Sequence, residues 1–301
     1  MIRLSSQPAF RRLALHSAVV VGLVFAAYLF MIAAGQKGSL AFDVVAYWGF
    51  NIDDLYRGAV GDLGFFAYSP AIALLLTPFT QLPWLAFVGG WYALLLGALA
   101  WLGRRQVLIL LAFPPVAIDL YHGNIHVLLA AAIVAGFRYP AAWSFVVLTK
   151  ITPGIGLLWF AARREWRALG VALGATALVA LVSAAFLPAQ WLAWLAMLLD
   201  SAGTQPPWPA LPVPLWLRLP AAGALIWWGA RRDARWVVPV GAALAVPALW
   251  PGAFAILAAC WPLRRAAGRT PAQGAFGAAS GGYHAPDAIE QPGAGARPAP
   301  A

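Results

Sequence analysis

Four of the ten carboxylates in this 301-residue chain, Asp43, Asp53, Asp54 and Asp62, fall within twenty positions. They share the only long polar segment between two hydrophobic stretches, which places them at the mouth of whatever bundle those stretches form. An acid so placed is a candidate general base, and Asp43, which opens the cluster, is the first choice. The bland alternative for Asp43 is a solvated loop acid or a helix N-cap. Lys150 also invites chemistry. It stands about ten residues inside an otherwise apolar run, where a charge costs at least about 2–3 kcal/mol unless it is paired or reaches water. Snorkelling to an interface is the alternative. His122 and His126 have the i, i+4 spacing that would present two imidazoles on one helical face. A third ligand would have to come from Asp119 or elsewhere, so polar lining or hydrogen bonding outranks metal binding; neither a metal nor a cofactor is expected.

The elements that must position these residues are helices in lipid. The chain is 62% hydrophobic and 10% charged, with a mean hydropathy of +0.77, the composition of an all-α, polytopic integral membrane protein. Leu13 to Ala34 is a 22-residue apolar run broken only by His16 and Ser17, and Ala168 to Leu187 gives twenty uncharged residues. At about 1.5 Å per residue each can cross a hydrocarbon core about 30 Å thick. Trp84 to Leu102 and Pro140 to Ala161 read as spans of similar quality. Many of the sixteen tryptophans stand near segment ends, among them Trp84, Trp166, Trp208, Trp236 and Trp250, as in interfacial belts.

The net charge of +10 comes from short basic flanks of hydrophobic runs rather than from one patch, so it reads as positive-inside topology and not as nucleic-acid binding. With a cytoplasmic N-terminus and Ala71 to Leu82 counted as a short span, twelve basic residues fall inside and six outside: Lys37, Arg57, Arg104, Arg105, Arg138 and Arg218. The acidic loop, 35–70, then faces away from the cytoplasm. Two runs, Gln106 to Ile118 and Asn124 to Phe137, are short for a crossing, which makes 119–125 either a thin cytoplasmic turn or the tip of a re-entrant hairpin. Trp236 to Leu263 is too long for one upright helix and should break near Trp250 and Pro251. The first span reads as an uncleaved anchor, Cys260 as a buried structural thiol, and 266–301, rich in Ala, Gly and Pro, as a disordered tail after a membrane domain of 1–265.

The chain has no GxxxxGK[ST] loop, no HExxH, no CxxC and no dinucleotide-binding glycine pattern, which argues against soluble nucleotide chemistry. Instead, the first loop carries a recognisable block. Phe42-Asp43-Val44-Val45-Ala46-Tyr47 is followed by Asp54-Leu55-Tyr56-Arg57-Gly58, then by Phe66-Ala67-Tyr68-Ser69-Pro70 running into a leucine-rich stretch that ends at Leu82-Pro83. Downstream stand Tyr121-His122-Gly123-Asn124, Leu148-Thr149-Lys150-Ile151-Thr152-Pro153 and Arg163-Arg164-Glu165-Trp166-Arg167. In order and spacing these resemble glycosyltransferase family 87, which contains polyprenyl-phosphomannose-dependent α-1,2-mannosyltransferases and related arabinofuranosyltransferases. The likeness covers roughly residues 40–170, and one proline of the family's Tyr-Pro-Pro element is replaced by Ser69.

The resemblance implies a GT-C-like bundle of about eight to ten transmembrane helices with a catalytic first extracytoplasmic loop. It also implies an inverting hexosyltransferase of the cell envelope, moving mannose from a polyprenyl-phosphate donor to a glycan or glycolipid acceptor among membrane lipids. Asp43 matches the family's catalytic aspartate. Lys150 would neutralise the donor phosphate, and His122 and Asn124 would bind phosphate or sugar, with a helix cap as the alternative for Asn124. Asp54 would hydrogen-bond sugar hydroxyls or, with Asp53, begin a short helix. Tyr47 and Tyr68 would stack on sugar or prenyl groups or simply pack. Another hexose or pentose donor, or a lipid or sugar transporter, are the competing readings. A multi-pass protein of a bacterial inner membrane is the expected location.

Overall fold

The first apolar run folds as α1 (Pro8–Tyr28), continues through a π-helical turn (Leu29–Ala33) into α2 (Ala34–Lys37), and stops at Gly38 in the left-handed conformation. This computed structural model describes residues 8–59, 61–201 and 210–267. They belong to one unit, Met1–Ala267; a second, Gly268–Ala301, lies outside the described residues, as do Trp208 and all of the expected tail except Ala266 and Ala267. Every regular element among the described residues is helical. After α2 come α3 (Phe42–Trp48), α4 (Pro70–Leu76), α5 (Trp84–Gly103), α6 (Val107–Leu111), α7 (Pro114–His122) and α8 (His126–Gly136). There follow α9 (Trp143–Thr149), α10 (Leu158–Ala162), α11 (Trp166–Phe186), α12 (Pro188–Ser201), α13 (Leu215–Arg231), α14 (Val237–Leu244) and α15 (Cys260–Ala267).

Three helices are long and apolar enough to cross a membrane, Phe10–Gln36, Trp84–Leu111 and Trp166–Phe186, and a fourth crossing results if the α7–α8 pair, bent by 116°, is one broken span. Hydrophobic runs therefore outnumber continuous spans, because prolines and polar residues cut them. Pro140 to Ala161 is one such run. It is not a single helix but α9, an extended Lys150 (φ −144°, ψ 116°), a 3-10 stretch over Thr152–Leu157 and α10. Trp236 to Leu263 doubles back, breaking between Ala245 and Trp250 before a 3-10 stretch over Pro251–Ala259. Its two ends meet where the Cys260 thiol donates to the Trp236 carbonyl at 3.3 Å.

The interior is packed around large side chains. Trp143 and Trp159 are fully buried, and a Cβ at Gly136 or Gly156 would overlap the Trp143 indole, so these glycines let α8 and the 3-10 stretch close on α9. The outer helices show lipid the opposite face. In α11 only Ala172 and Ser183 are buried, while Leu178, Leu181 and Phe186 stand exposed, as expected where lipid replaces protein as the apolar neighbour.

Contacts divide the charges between two ends of the bundle, and here the chain departs from the expected topology. Trp48 at the end of α3 donates its indole N–H to the Leu82 carbonyl at 2.9 Å and packs edge-on against Trp84. The segment 71–82 thus begins and ends on one side and does not cross. Helix α5, about 30 Å long, then carries Arg104 and Arg105 to the far end, and α7 returns to meet the first loop, where the Ala41 amide donates to the Tyr121 carbonyl at 3.0 Å. That contact rules out a turn at 119–125 on the opposite membrane face and selects the re-entrant alternative. At the far end the Arg163 guanidinium bonds the Ala230 carbonyl and Asp233. Arg235 covers the Phe137 ring and Arg264 the Trp236 ring. Arg104, Arg105 and Arg138, expected beside the acidic loop, therefore join the arginines at 163–167, 231–235 and 264–265. Arg57 stays with the acids. Arg218 is buried.

Candidate active site

The site forms where α3 meets the α7–α8 turn. Gly123 ends α7 with φ 68°, and a Cβ there would overlap the Val44 side chain, so both the left-handed turn and the close approach of α3 call for glycine. The Trp91 indole N–H donates to the Gly123 carbonyl at 2.7 Å, which fixes the turn from α5. Asn124 uses both ends of its amide. Its Oδ1 accepts the Ile125 N–H at 2.7 Å, just ahead of α8, and its Nδ2 donates to Asp43 Oδ2 at 2.7 Å. Trp91 lies seven residues into α5, so this junction sits about 10 Å along the helix from its start, sunk into the bundle rather than resting on it.

A second chain of contacts runs behind the turn. One carboxylate oxygen of Asp119 lies 2.8 Å from His126 Nδ1, and the other accepts the Val127 N–H at 3.1 Å. His126 Nε2 meets Lys150 Nζ at 3.0 Å. The break after α9 that leaves Lys150 extended also lets its side chain reach across to α8, and its ammonium stands 6.0 Å from the centre of the Tyr68 ring. Beside it, the hydroxyls of Ser69 and Thr149 are buried with no hydrogen-bond partner among the described residues. Lys150 is thus neither a lone charge in lipid nor a snorkelling chain.

Asp43 lies in the loop outside the spans, and burial holds its carboxyl above the usual carboxylate range. The Asn124 hydrogen bond and the nearby His122 pull it down, while Asp119 pushes it up. Under it, the Tyr47 and Tyr68 hydroxyls share a 2.8 Å hydrogen bond, and Tyr47 stacks on Trp91 at 4.5 Å. Burial raises both phenols well above their ordinary value, keeping them protonated. Tyr47 is fully buried and Tyr68 nearly so, which makes them the floor beneath Asp43 rather than an open stacking surface.

Of the residues expected at the site, the fold gathers Asp43, Asn124, Lys150, Tyr47 and Tyr68, with half-buried His122 edge-on to Tyr121 nearby. Asp54 is not drawn in by any contact to them. It is exposed in a turned segment, its amide donating to the Asn51 carbonyl at 3.1 Å. Neither Asp53 nor Asp54 starts a helix, because the Asn51 side chain takes the Asp53 N–H and forms a turn instead. Gln190 of α12 ties this segment down, donating to the Asp53 carbonyl at 2.6 Å and accepting the Leu55 N–H at 3.3 Å. His122 and His126 do not share a helical face, since the α7–α8 bend separates them. Sequence reasoning ranked polar lining or hydrogen bonding above metal binding here but did not pair Asp119 with His126; an acid and an imidazole both inside apolar runs were the available signal that they pair with each other.

Residues 66–281 match glycosyltransferase family 87, a stretch that takes in Tyr68, His122, Asn124 and Lys150, runs well past residue 170 and starts after Asp43. No curated protein and no solved structure matches the chain. A match over most of the length, on an all-helical scaffold with several membrane-crossing helices, shows that the chain belongs to glycosyltransferase family 87 and is a membrane glycosyltransferase.

Proposed function

We propose that the protein is an inverting transferase that moves a sugar, mannose first among the candidates, from a polyprenyl-phosphate donor to a glycan or glycolipid acceptor. The observation that carries this reading is the convergence of one acid and one cation from distant parts of the chain. Asp43 is presented by Asn124, and Lys150 is held by His126 one residue-pair away along the same turn. A lipid-linked sugar phosphate keeps its prenyl chain in the bilayer and its polar head where a cavity meets lipid, and a site sunk about 10 Å into the bundle suits that substrate.

In the transfer, the acceptor hydroxyl gives its proton to Asp43 as its oxygen bonds the anomeric carbon. The bond from that carbon to the phosphate oxygen breaks on the opposite face, and the electron pair stays on the phosphate. A carboxyl raised by burial is a stronger base than a free one, and the Lys150 ammonium meets the charge that accumulates on the leaving group. Arginines crowd the end away from Asp43, so the positive-inside rule supports a cytoplasmic arginine end and an extracytoplasmic site, in an inner membrane.

The test is transfer of radiolabelled sugar from polyprenyl-phosphomannose in membranes holding equal amounts of wild-type chain or Asp43→Asn. The expected result is mannose transfer by the wild type that falls by about 10²–10⁴ in the variant. Transfer retained in Asp43→Asn removes Asp43 as the base. Transfer from a pentosyl but not a mannosyl donor replaces the sugar and keeps the mechanism.

A further inference from the structure

Asp119 and His126 are the most completely buried ionisable pair at the site, their side chains 0% and 3% exposed. Such a pair is costly to place in an apolar bundle, and here it does not close on itself. An ammonium has no lone pair, so the 3.0 Å contact of Lys150 with His126 Nε2 is a donation from the cation to a neutral imidazole. The imidazole proton is then on Nδ1, directed at Asp119 Oδ1. Asp119 thereby selects the tautomer, and its other oxygen is anchored by the Val127 N–H. Lys150 spends one proton on the imidazole. The ammonium faces the Tyr68 ring at 6.0 Å, and the hydroxyls of the adjacent Thr149 and of Ser69, whose amide bonds the Leu148 carbonyl, are buried without a partner among the described residues.

We propose that Asp119 and His126 are positioning residues for the transfer: the carboxylate fixes the imidazole tautomer, and the imidazole holds the Lys150 ammonium by one proton so that the other two face the leaving phosphate. This rests on the reading of Lys150 as the phosphate-facing cation. The effect is concentrated where charge is greatest. The donor carries one negative charge on its phosphate diester, the departing polyprenyl phosphate approaches two, and a well-aimed ammonium favours the second over the first.

The experiment is a double-mutant cycle on the purified full-length chain in nanodiscs, with Lys150→Met, Asp119→Asn and the double variant. Two quantities are read: tryptophan-fluorescence titration with polyprenyl monophosphate, which needs no sugar to be chosen, and steady-state transfer from polyprenyl-phosphomannose. In the Lys150 background Asp119→Asn should weaken monophosphate binding about tenfold and lower kcat by a similar factor, with the donor KM changed less than about threefold. In the Lys150→Met background it should change neither by more than about twofold. Equal losses in both backgrounds overturn the proposal while leaving Lys150 its role. No effect of Lys150→Met on monophosphate binding or on transfer overturns the reading of Lys150 itself, and the proposal with it. Should Asp119→Asn fail to give a monodisperse protein, His126→Leu takes its place in the same cycle.

Discussion

Arg218 and Lys150 are both cations drawn out of water, and they are satisfied in opposite ways. Arg218, at the start of α13, donates to the Val213, Leu244, Val246 and Pro247 carbonyls at 2.6–2.8 Å. Three of these belong to the end of α14 and the turn after it, where a helix leaves carbonyls unpaired and its dipole is negative. Each nitrogen of that guanidinium has a protein oxygen to bond. Among the described residues the Lys150 ammonium has one hydrogen bond, to a ring nitrogen that is itself held by an acid, and two protons to spare. The first arrangement is closed and can only hold the α13–α14 corner together. The second leaves donor capacity unused, which is what a binding cation requires.

Substituting each cation by methionine breaks this comparison most directly. Arg218→Met abandons four carbonyls, each left at a cost of about 1–3 kcal/mol if water cannot replace the donor, and the expected outcome is loss of folded protein in detergent, read by size-exclusion yield. Lys150→Met should keep that yield and a Tm close to wild type, while transfer falls by about 10²–10³. Both variants misfolding alike would make Lys150 a structural cation. Both staying folded and active would remove the distinction from the other side.

The two halves of that contrast were unequally legible in the sequence. Lys150 drew attention because a lysine deep in an apolar run is costly, and Asp43 because acids are scarce elsewhere. Their meeting was readable only through the resemblance, since nothing local to residues 43, 124 and 150 says that three separate segments touch. The spans at Phe10–Gln36, Trp84–Leu111 and Trp166–Phe186 followed from length and hydropathy. The short runs did not. Whether 71–82 crosses is decided by one indole bond between Trp48 and Leu82, and charge counting over loops cannot see it. Once that segment and the α7–α8 pair are re-entrant, the arginines fall on one end more completely than the loop count allowed. Arg218 passed as a loop charge because its partners are carbonyls, which every residue carries and no motif marks.

Asn124 sharpens the comparison at the acid. Its amide donates to Asp43 and holds the carboxyl lower than burial alone would. A base must be deprotonated to work, so activity falls as pH drops through the Asp43 pKa, and that limb should lie above the range of an exposed aspartate. Asn124→Ala removes a lowering influence. Its acid limb should therefore move to higher pH, with the loss largest at mildly acidic pH and smallest at alkaline pH. A uniform loss at every pH would mean that Asn124 serves only to shape the turn before α8, through its bond to the Ile125 N–H.

Gln190 gives the smallest expected effect and tests whether closed satisfaction near the site is also structural. Like Arg218 it spends itself on backbone, donating to the Asp53 carbonyl and accepting from the Leu55 N–H. Its amide is neutral and its loop is partly exposed, so the two bonds together contribute about 1 kcal/mol. Gln190→Ala should leave the global Tm nearly unchanged and free the 53–58 segment, where Arg57 is exposed. Limited trypsinolysis reads this as cleavage after Arg57 about fivefold faster, the ratio that 1 kcal/mol of local opening produces. Transfer should fall by no more than a similar factor, because Asp43 is aimed by α3 and Asn124 rather than by this segment. A loss of transfer comparable with that of Lys150→Met would instead place the 53–55 turn, and Asp54 with it, in contact with substrate.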